Sequence, residues 1–234
     1  MSQLLSISCR LQRIASYLPK SSHFADIGSD HAYLACYVCL NDPTAKAIAG
    51  EVVKGPYNSA KSTVNAYQLE SAIDVRLGNG LAVLHKGEVK QVVIAGMGGA
   101  LIQSILENGK KKIESVERII VQPNVDEKSV RKWLSSYGYK IVQEEIIEEN
   151  GHFYEIVVAD YVGEVQNLTA KEIVFGPILL TEKSKIFYKK WESEQQKLRN
   201  VMKQLEQASI TQTEKIKQFN TELAWIKEVL QDGQ

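Results

Sequence analysis

Three carboxylates stand where this chain could hold a positive charge. Asp26 and Asp30 flank Gly28 in FADIGSDHAYLA (24–35), and Glu51 lies 23 residues beyond Gly28. The first stretch reads as a strand running into a helix, the setting of a phosphate-binding turn. A dinucleotide turn needs G-x-G-x-x-G so that backbone N–H groups can reach a pyrophosphate. Here only Gly28 remains, and Asp30 would repel a phosphate at short range. Carboxylates in that place suit a cation instead. S-adenosylmethionine, with an ammonium and a sulfonium and no phosphate, has the required charge. Glu51 stands at the distance from the first turn where an acidic side chain accepts hydrogen bonds from ribose hydroxyls. NAD and S-adenosylmethionine share that ribose. The plain alternatives are that Asp30 caps the following helix and that Glu51 is an exposed strand end.

Further polar groups follow other apolar runs. RLGNGL (76–81) carries Asn79 between Gly78 and Gly80, so its amide can meet an adenine edge; an ordinary Asn-Gly turn is the alternative. AGMGGA (95–100) lets backbone approach a ligand closely. It lacks the Asp/Asn-Pro-Pro-aromatic pattern that accepts protons from an exocyclic amine, which argues against such an acceptor. VQPN (121–124) places Gln122 and Asn124 at the same edge, as substrate contacts or, for Asn124, as a helix cap. Cys36-Tyr-Val-Cys39 falls inside a predicted helix with no second pair, so buried thiols are expected and no metal. With Cys9 the cysteines number three, which suits reduced thiols in a cytoplasm.

These residues must be held by elements. Strands are expected at 23–27, 45–49, 73–77, 91–95 and 118–122, with helices at 31–41, 55–69, 79–85, 99–109 and 125–137. That alternation predicts an α/β Rossmann-like fold with a mostly parallel seven-stranded sheet. YKIVQEEII and HFYEIVVA, joined by Glu-Asn-Gly, close it as an antiparallel hairpin. Leu4, Ile7, Leu11, Ile14 and Leu18 predict a leading helix. Past residue 175, Phe187, Trp191, Glu194, Leu198, Val201 and Leu205 form one heptad seam. Ile216, Phe219, Leu223, Ile226 and Leu230 form another, with a turn at SITQT. They predict an antiparallel helical coiled-coil hairpin. The expected domains are 1–160 and 161–234, the latter beginning with a linker. The 234 residues carry 28 basic and 28 acidic side chains, and no apolar run approaches the roughly 20 residues of a membrane span. The neutral sum hides segregation: 142–155 holds five glutamates and no Lys or Arg, and 183–203 holds seven basic residues against two glutamates.

Taken together, DIGSDHAYL, GEVVKGPYNSA, RLGNGL, AGMGG and ENGHFYEIV resemble the bacterial tRNA (adenine-22-N1)-methyltransferase family. Its members are class I S-adenosylmethionine-dependent methyltransferases with a C-terminal coiled-coil extension, and the likeness covers the whole chain. It implies cofactor contacts at Asp26, Gly28, Ser29, Asp30, His31, Glu51, Val52, Asn79, Gly80, Leu81, Gly96, Met97 and Gly98. It adds Arg10, which spacing alone would not select. It matches no catalytic residue unambiguously, and the first loop has fewer glycines than the general methyltransferase pattern.

The implied chemistry suits these residues. Neutral adenine carries a lone pair on N1, so the base can attack a sulfonium methyl without prior deprotonation. The enzyme's task is alignment and exclusion of solvent. The methylated ring becomes cationic, and Asp30, Glu149 or the carbonyls of 95–98 are candidates to favour it. N1 lies on the pairing edge, so the adenine must be turned out of its stack. Tyr57, His152 and Tyr154 are candidates to receive it, with ordinary packing as the alternative. Lys183, Lys190 and Lys197 form a seven-residue stripe expected to meet tRNA phosphates, against the alternative of interhelical ion pairing. A monomer is expected. A small-molecule methyltransferase and a non-catalytic scaffold are the competing readings, and position 22 rests on the resemblance alone.

Overall fold

Ala, Val and Ile dominate the short runs because both faces of a parallel sheet are covered by crossover helices. In a computed structural model, which describes residues 5–207 and 213–231, these runs form β1 (His23–Ile27), β2 (Lys46–Glu51), β3 (Ile73–Leu77), β4 (Gln91–Gly98) and β5 (Arg118–Val125). β6 (Tyr139–Glu149) and β7 (His152–Tyr161) follow as a hairpin. The seven-stranded order is β3-β2-β1-β4-β5-β7-β6. The first five strands run parallel, and β7 pairs antiparallel with both neighbours. The hairpin turns at Asn150 and Gly151, both with positive φ (53° and 76°) as its tight connection demands.

The helices are α1 (Cys9–Ser16), α2 (Tyr33–Asn41), α3 (Lys54–Ala66), α4 (Gly99–Gly109) and α5 (Glu127–Ser136). The helix expected at 79–85 is instead a four-residue 3-10 turn, Gly80–Val83. Its length is set by Leu81, Val83 and Leu84, which are all drawn into the core. Ser8 caps α1 by accepting from the Leu11 N–H; Ile14 is wholly buried, Leu11 and Ala15 pack beside it on the core, and Arg10 and Arg13 reach side chains of β5 and β6. Leu4 of the expected leading helix lies outside the described residues. Cys36 and Cys39 are buried in α2, and burial pushes their thiols up to about 12 and about 11. The sheet reverses its winding direction between β1 and β4. In open α/β sheets ligands sit in the crevice outside the strand ends at such a point.

The chain divides into two compact units, Met1–Val174 and Phe175–Gln234. In the first, the segment after β7 is tied back by Val162 and Gln166 N–H groups donating to the Gly138 and Ser135 carbonyls. Arg131 of α5, fully buried, pairs with Glu144 at 2.8 Å and with Glu155, and donates to the carbonyls of Ile173 (3.3 Å) and Val174 (3.2 Å). Two carboxylates and two carbonyls offset the desolvation of that guanidinium.

The second unit holds α7 (Pro177–Glu182), α8 (Lys185–Gln207) and α9 (Thr213–Gln231); the short helix Ala170–Phe175, α6, leads into it. Phe175, Phe187 and Trp191 form an aromatic cluster, with Phe175 and Trp191 ring centroids 4.4 Å apart. The expected seam is corrected at one position: Met202 is buried and Val201 is 39% exposed. A helix of 3.6 residues per turn drifts off a strict heptad, so the buried stripe has moved by one residue. The expected lysine stripe is also corrected. Lys183 is the left-handed C-cap residue of α7 (φ 42°), before α8 begins. Lys190 is 5% exposed beside the Trp191 ring. Of the three stripe lysines, only Lys197 stands exposed on α8, paired with Glu194 at 2.8 Å. The turn placed at SITQT lies, but for its last residue, outside the described residues. No described helix is long and apolar enough to cross a membrane.

Candidate active site

A cavity of about 350 Å³ opens at the switch point. Its walls come from α1 (Arg10, Leu11), the end of β1 (Asp26), the β1–α2 turn (Gly28, Ser29, Asp30), the start of α2 (Tyr33, Leu34), the end of β4 (Ala95, Gly96, Met97), Asn124 of β5 and Tyr154 of β7. Such a volume lies at the lower end of small-ligand sites.

The β1–α2 turn is strained. Gly28 has φ 73°, and three L-residues in succession, Asp30, His31 and Ala32, have φ 37°, 66° and 58°. Left-handed conformations of this kind cost on the order of 1–3 kcal/mol each and persist only where the surroundings impose them. Here the imposing contacts are visible. Gly28 and Ser29 donate their N–H groups to the Gly50 carbonyl at 2.9 and 3.3 Å. The Asp30 N–H donates to Glu51 Oε1 at 2.5 Å. Ala32, without a side-chain cap, is the N-cap residue of α2, so the helix-capping alternative for Asp30 is set aside. The Asp30 carboxylate is exposed, 3.5 Å from His31 Nε2.

Beneath the turn, Asp26 is 4% exposed and accepts from Ser29 Oγ at 2.5 Å. Burial pushes its carboxyl up to about 7, the Ser29 hydrogen bond opposes this, and the charges of Glu51 and Asp30 add to it. Burial also raises Glu51, against the Asp30 N–H that favours its charged form. Three carboxylates crowded in this way form a site whose charge a cation would relieve.

The opposite wall is a hydrogen-bonded relay. Arg10 Nη1 donates to Gln122 Oε1, and its guanidinium lies 4.9 Å from the Tyr154 ring centroid. Gln122 Oε1 also accepts from the Gly96 N–H at 3.1 Å. Gln122 Nε2 donates to Pro123 O at 2.8 Å and to Asn124 Oδ1 at 3.2 Å. Asn124 Nδ2 donates to Gly96 O at 2.7 Å. The cap of α5 is Asp126, so Asn124 is not a helix cap but the outer end of this relay. Glu149 accepts from the Arg10 N–H (3.4 Å) and lies 3.9 Å from Arg10 Nε. It stands behind Arg10, outside the cavity lining, and that separates it from Asp30 as a candidate. Met97 reaches across to the β1 turn: a Cβ on Gly28 would meet its methyl at 2.0 Å.

The structure thus brings Arg10, Asp26, Gly28, Ser29, Asp30, Gly96, Met97, Asn124 and Tyr154 to one cavity. Other expected residues lie outside its lining. Glu51 touches it through Asp30, and Gln122 is wholly buried behind it. His31 stacks on the ring of the lining residue Tyr33, centroids 5.3 Å apart. Gly98 starts α4 as its N-cap. Val52 is 63% exposed after β2, Asn79 and Gly80 form the turn after β3, and the Leu81 side chain is buried. Tyr57 lies on α3 with Lys61 4.9 Å over its ring, and His152 is exposed on β7, 6.4 Å from Tyr154. Sequence reasoning missed Leu11, Tyr33 and Leu34. Of these, Tyr33 carried a signal, being the first aromatic after the acidic turn.

The family model for tRNA (adenine(22)-N(1))-methyltransferase matches residues 24–228. The tRNA (adenine(22)-N(1))-methyltransferase of Bacillus subtilis is 44% identical over 236 residues, 98% of this chain and 99% of the relative. The crystal structure of the B. subtilis m1A22 tRNA methyltransferase TrmK superposes with a TM-score of 0.88 at 43% identity, covering 97% of this chain and 99% of that one. A putative tRNA (m1A22) methyltransferase of Streptococcus pneumoniae, solved in complex with S-adenosyl-L-methionine, has a TM-score of 0.85 at 42% identity, covering 96% and 100%.

Proposed function

This chain belongs to the tRNA (adenine(22)-N(1))-methyltransferase family, and from that membership we infer that its cavity is where N1 of adenine 22 in tRNA is methylated with S-adenosylmethionine. The observation that carries the reading is the acidic turn: Asp26, Asp30 and Glu51 gathered at the C-terminal ends of β1 and β2, with a single glycine in the first loop. That set of acceptors fits a ligand bearing positive charge and a ribose, and it opposes a phosphate. When bound, S-adenosylmethionine supplies an electrophilic methyl on a sulfonium.

The chain's own residues do the rest. Asp26 and Asp30 provide the negative charge that seats a cationic ligand, and Glu51 the acceptor for ribose hydroxyls. The backbone of Gly96 and Met97 walls the cavity between that turn and the relay on β5, which limits solvent at the reacting atoms. No residue has to remove a proton from N1, whose lone pair is available in the neutral base. Asp30, exposed at the mouth, favours the cationic ring that forms, and Glu149 acts only through Arg10. Tyr154 has one face covered by the Arg10 guanidinium, so a turned-out base meets its edge or its other face. Basic side chains exposed on the second unit, Lys185, Lys189, Lys197 and Arg199 among them, supply phosphate contacts in place of the single stripe. We place the reaction in the cytoplasm and the enzyme as a monomer.

The test is mass spectrometry of nucleosides from tRNA incubated with the protein and methyl-labelled cofactor. Label in 1-methyladenosine from position 22 is the expected result. Label in another nucleoside, or transfer only to small molecules, overturns the reading.

A further inference from the structure

Two amides in the cavity wall are oriented without ambiguity. Gln122 is fully buried. Its Oε1 meets the Arg10 guanidinium and the Gly96 N–H, groups that only donate, and its Nε2 meets Pro123 O, which only accepts. Reversing this amide would leave three mismatches around a buried side chain. Its direction dictates that of Asn124, which must turn Oδ1 toward Gln122 Nε2 and Nδ2 toward Gly96 O. Asn124 itself is exposed at the cavity wall. After those two bonds it retains one N–H and one oxygen lone pair.

One free donor and one free acceptor on a single amide are the groups with which Asn meets the N6–H and N7 of adenine in nucleic acids. Guanine offers two acceptors along the same edge, O6 and N7, and would set its O6 against the amide oxygen. An adenine gripped by N6 and N7 leaves N1 uncovered, as an attacking nitrogen must be. Resting on the function proposed above, we propose that Asn124 reads the N6/N7 edge of the target adenine, and that Gln122 is the positioning residue that sets the direction of its amide.

The test changes one substrate atom. Full-length tRNA is prepared with adenosine or 7-deazaadenosine at the target position; the latter replaces N7 by C–H and keeps N1 and N6. For the wild-type enzyme, kcat/KM is expected to fall about five- to tenfold on the 7-deaza tRNA, the scale of one lost hydrogen bond. Asn124→Ala is expected to methylate both tRNAs at equal rates. Gln122→Glu keeps acceptors for Arg10 and Gly96 but loses the donor to Asn124, and should bring the ratio toward one. If Asn124→Ala is too slow to follow, Asn124→Asp retains an acceptor for N6–H and gives the second ratio. Equal wild-type rates on the two tRNAs, or a wild-type ratio preserved in the variants, overturns the proposal. No 1-methyladenosine from either tRNA is the separate failure of the family reaction.

Discussion

Asp26 is the residue whose chemistry depends most on what lies beside it. In the protein alone burial pushes its carboxyl up to about 7, and the Ser29 hydrogen bond offsets only part of that. A cationic ligand favours the carboxylate, so binding should release a proton below that value. Calorimetric titration with S-adenosylmethionine between about pH 6 and pH 8 should show affinity rising with pH and levelling above about 7. Asp26→Asn should flatten the profile, and a flat wild-type profile would sink the assignment. The stability effect has the opposite sign to a usual Asp. With its folded pKa above its unfolded value of about 3.9, the folded state holds the extra proton between the two. Its contribution therefore favours the fold at low pH and is lost as pH rises toward 7. The acidic trio was legible in the sequence, because spacing after each strand places it. Arg10 was not: its partners Gln122 and Glu149 lie 112 and 139 residues away.

At the scale of elements, the cavity depends on how closely two connections pack. Gly99, the first residue of α4, sits against the β5–α5 connection so tightly that a Cβ there would lie 1.9 Å from Asp126 O and 3.0 Å from Val125 O. Neither atom can swing away as a side chain could. Gly99→Ala should push the β4 loop, which carries Gly96 and Met97, off the strand that carries Asn124. The expected cost is about 1–3 kcal/mol in urea unfolding, the range of overpacked cores, with weaker S-adenosylmethionine binding. Unchanged stability and affinity would show that the two connections are free to part. Strand and helix positions were legible from runs of Ala, Val and Ile. The left-handed run Asp30–His31–Ala32 was not, since none of these residues carries a local preference strong enough to announce it. Contacts from Gly50 and Glu51, on the neighbouring strand, impose it.

For the whole molecule, the division at Val174/Phe175 separates a unit holding the cavity from one carrying exposed basic side chains on α8. Deleting Phe175–Gln234 should leave S-adenosylmethionine affinity near its full value, since every residue lining the cavity lies in the first unit. It should lower tRNA affinity on the order of tenfold or more at moderate salt and flatten the salt dependence, as expected when phosphate contacts are lost. Retained tRNA affinity in the truncated protein would assign RNA binding to the first unit alone.

The sequence by itself determined the α/β alternation, the closing hairpin, the two C-terminal helices and the preference for a cation over a phosphate. Each of these is written in local periodicity or in residues a few positions apart. Only the tertiary structure decided that Lys190 is buried, that Lys183 precedes its helix, that Met202 replaces Val201 on the buried face, and that Gln122 orients Asn124. Those outcomes depend on which distant elements come to lie side by side. Burial and hydrogen-bond partnership are properties of neighbours in space, and strand order, not sequence spacing, makes β1, β4 and β5 neighbours.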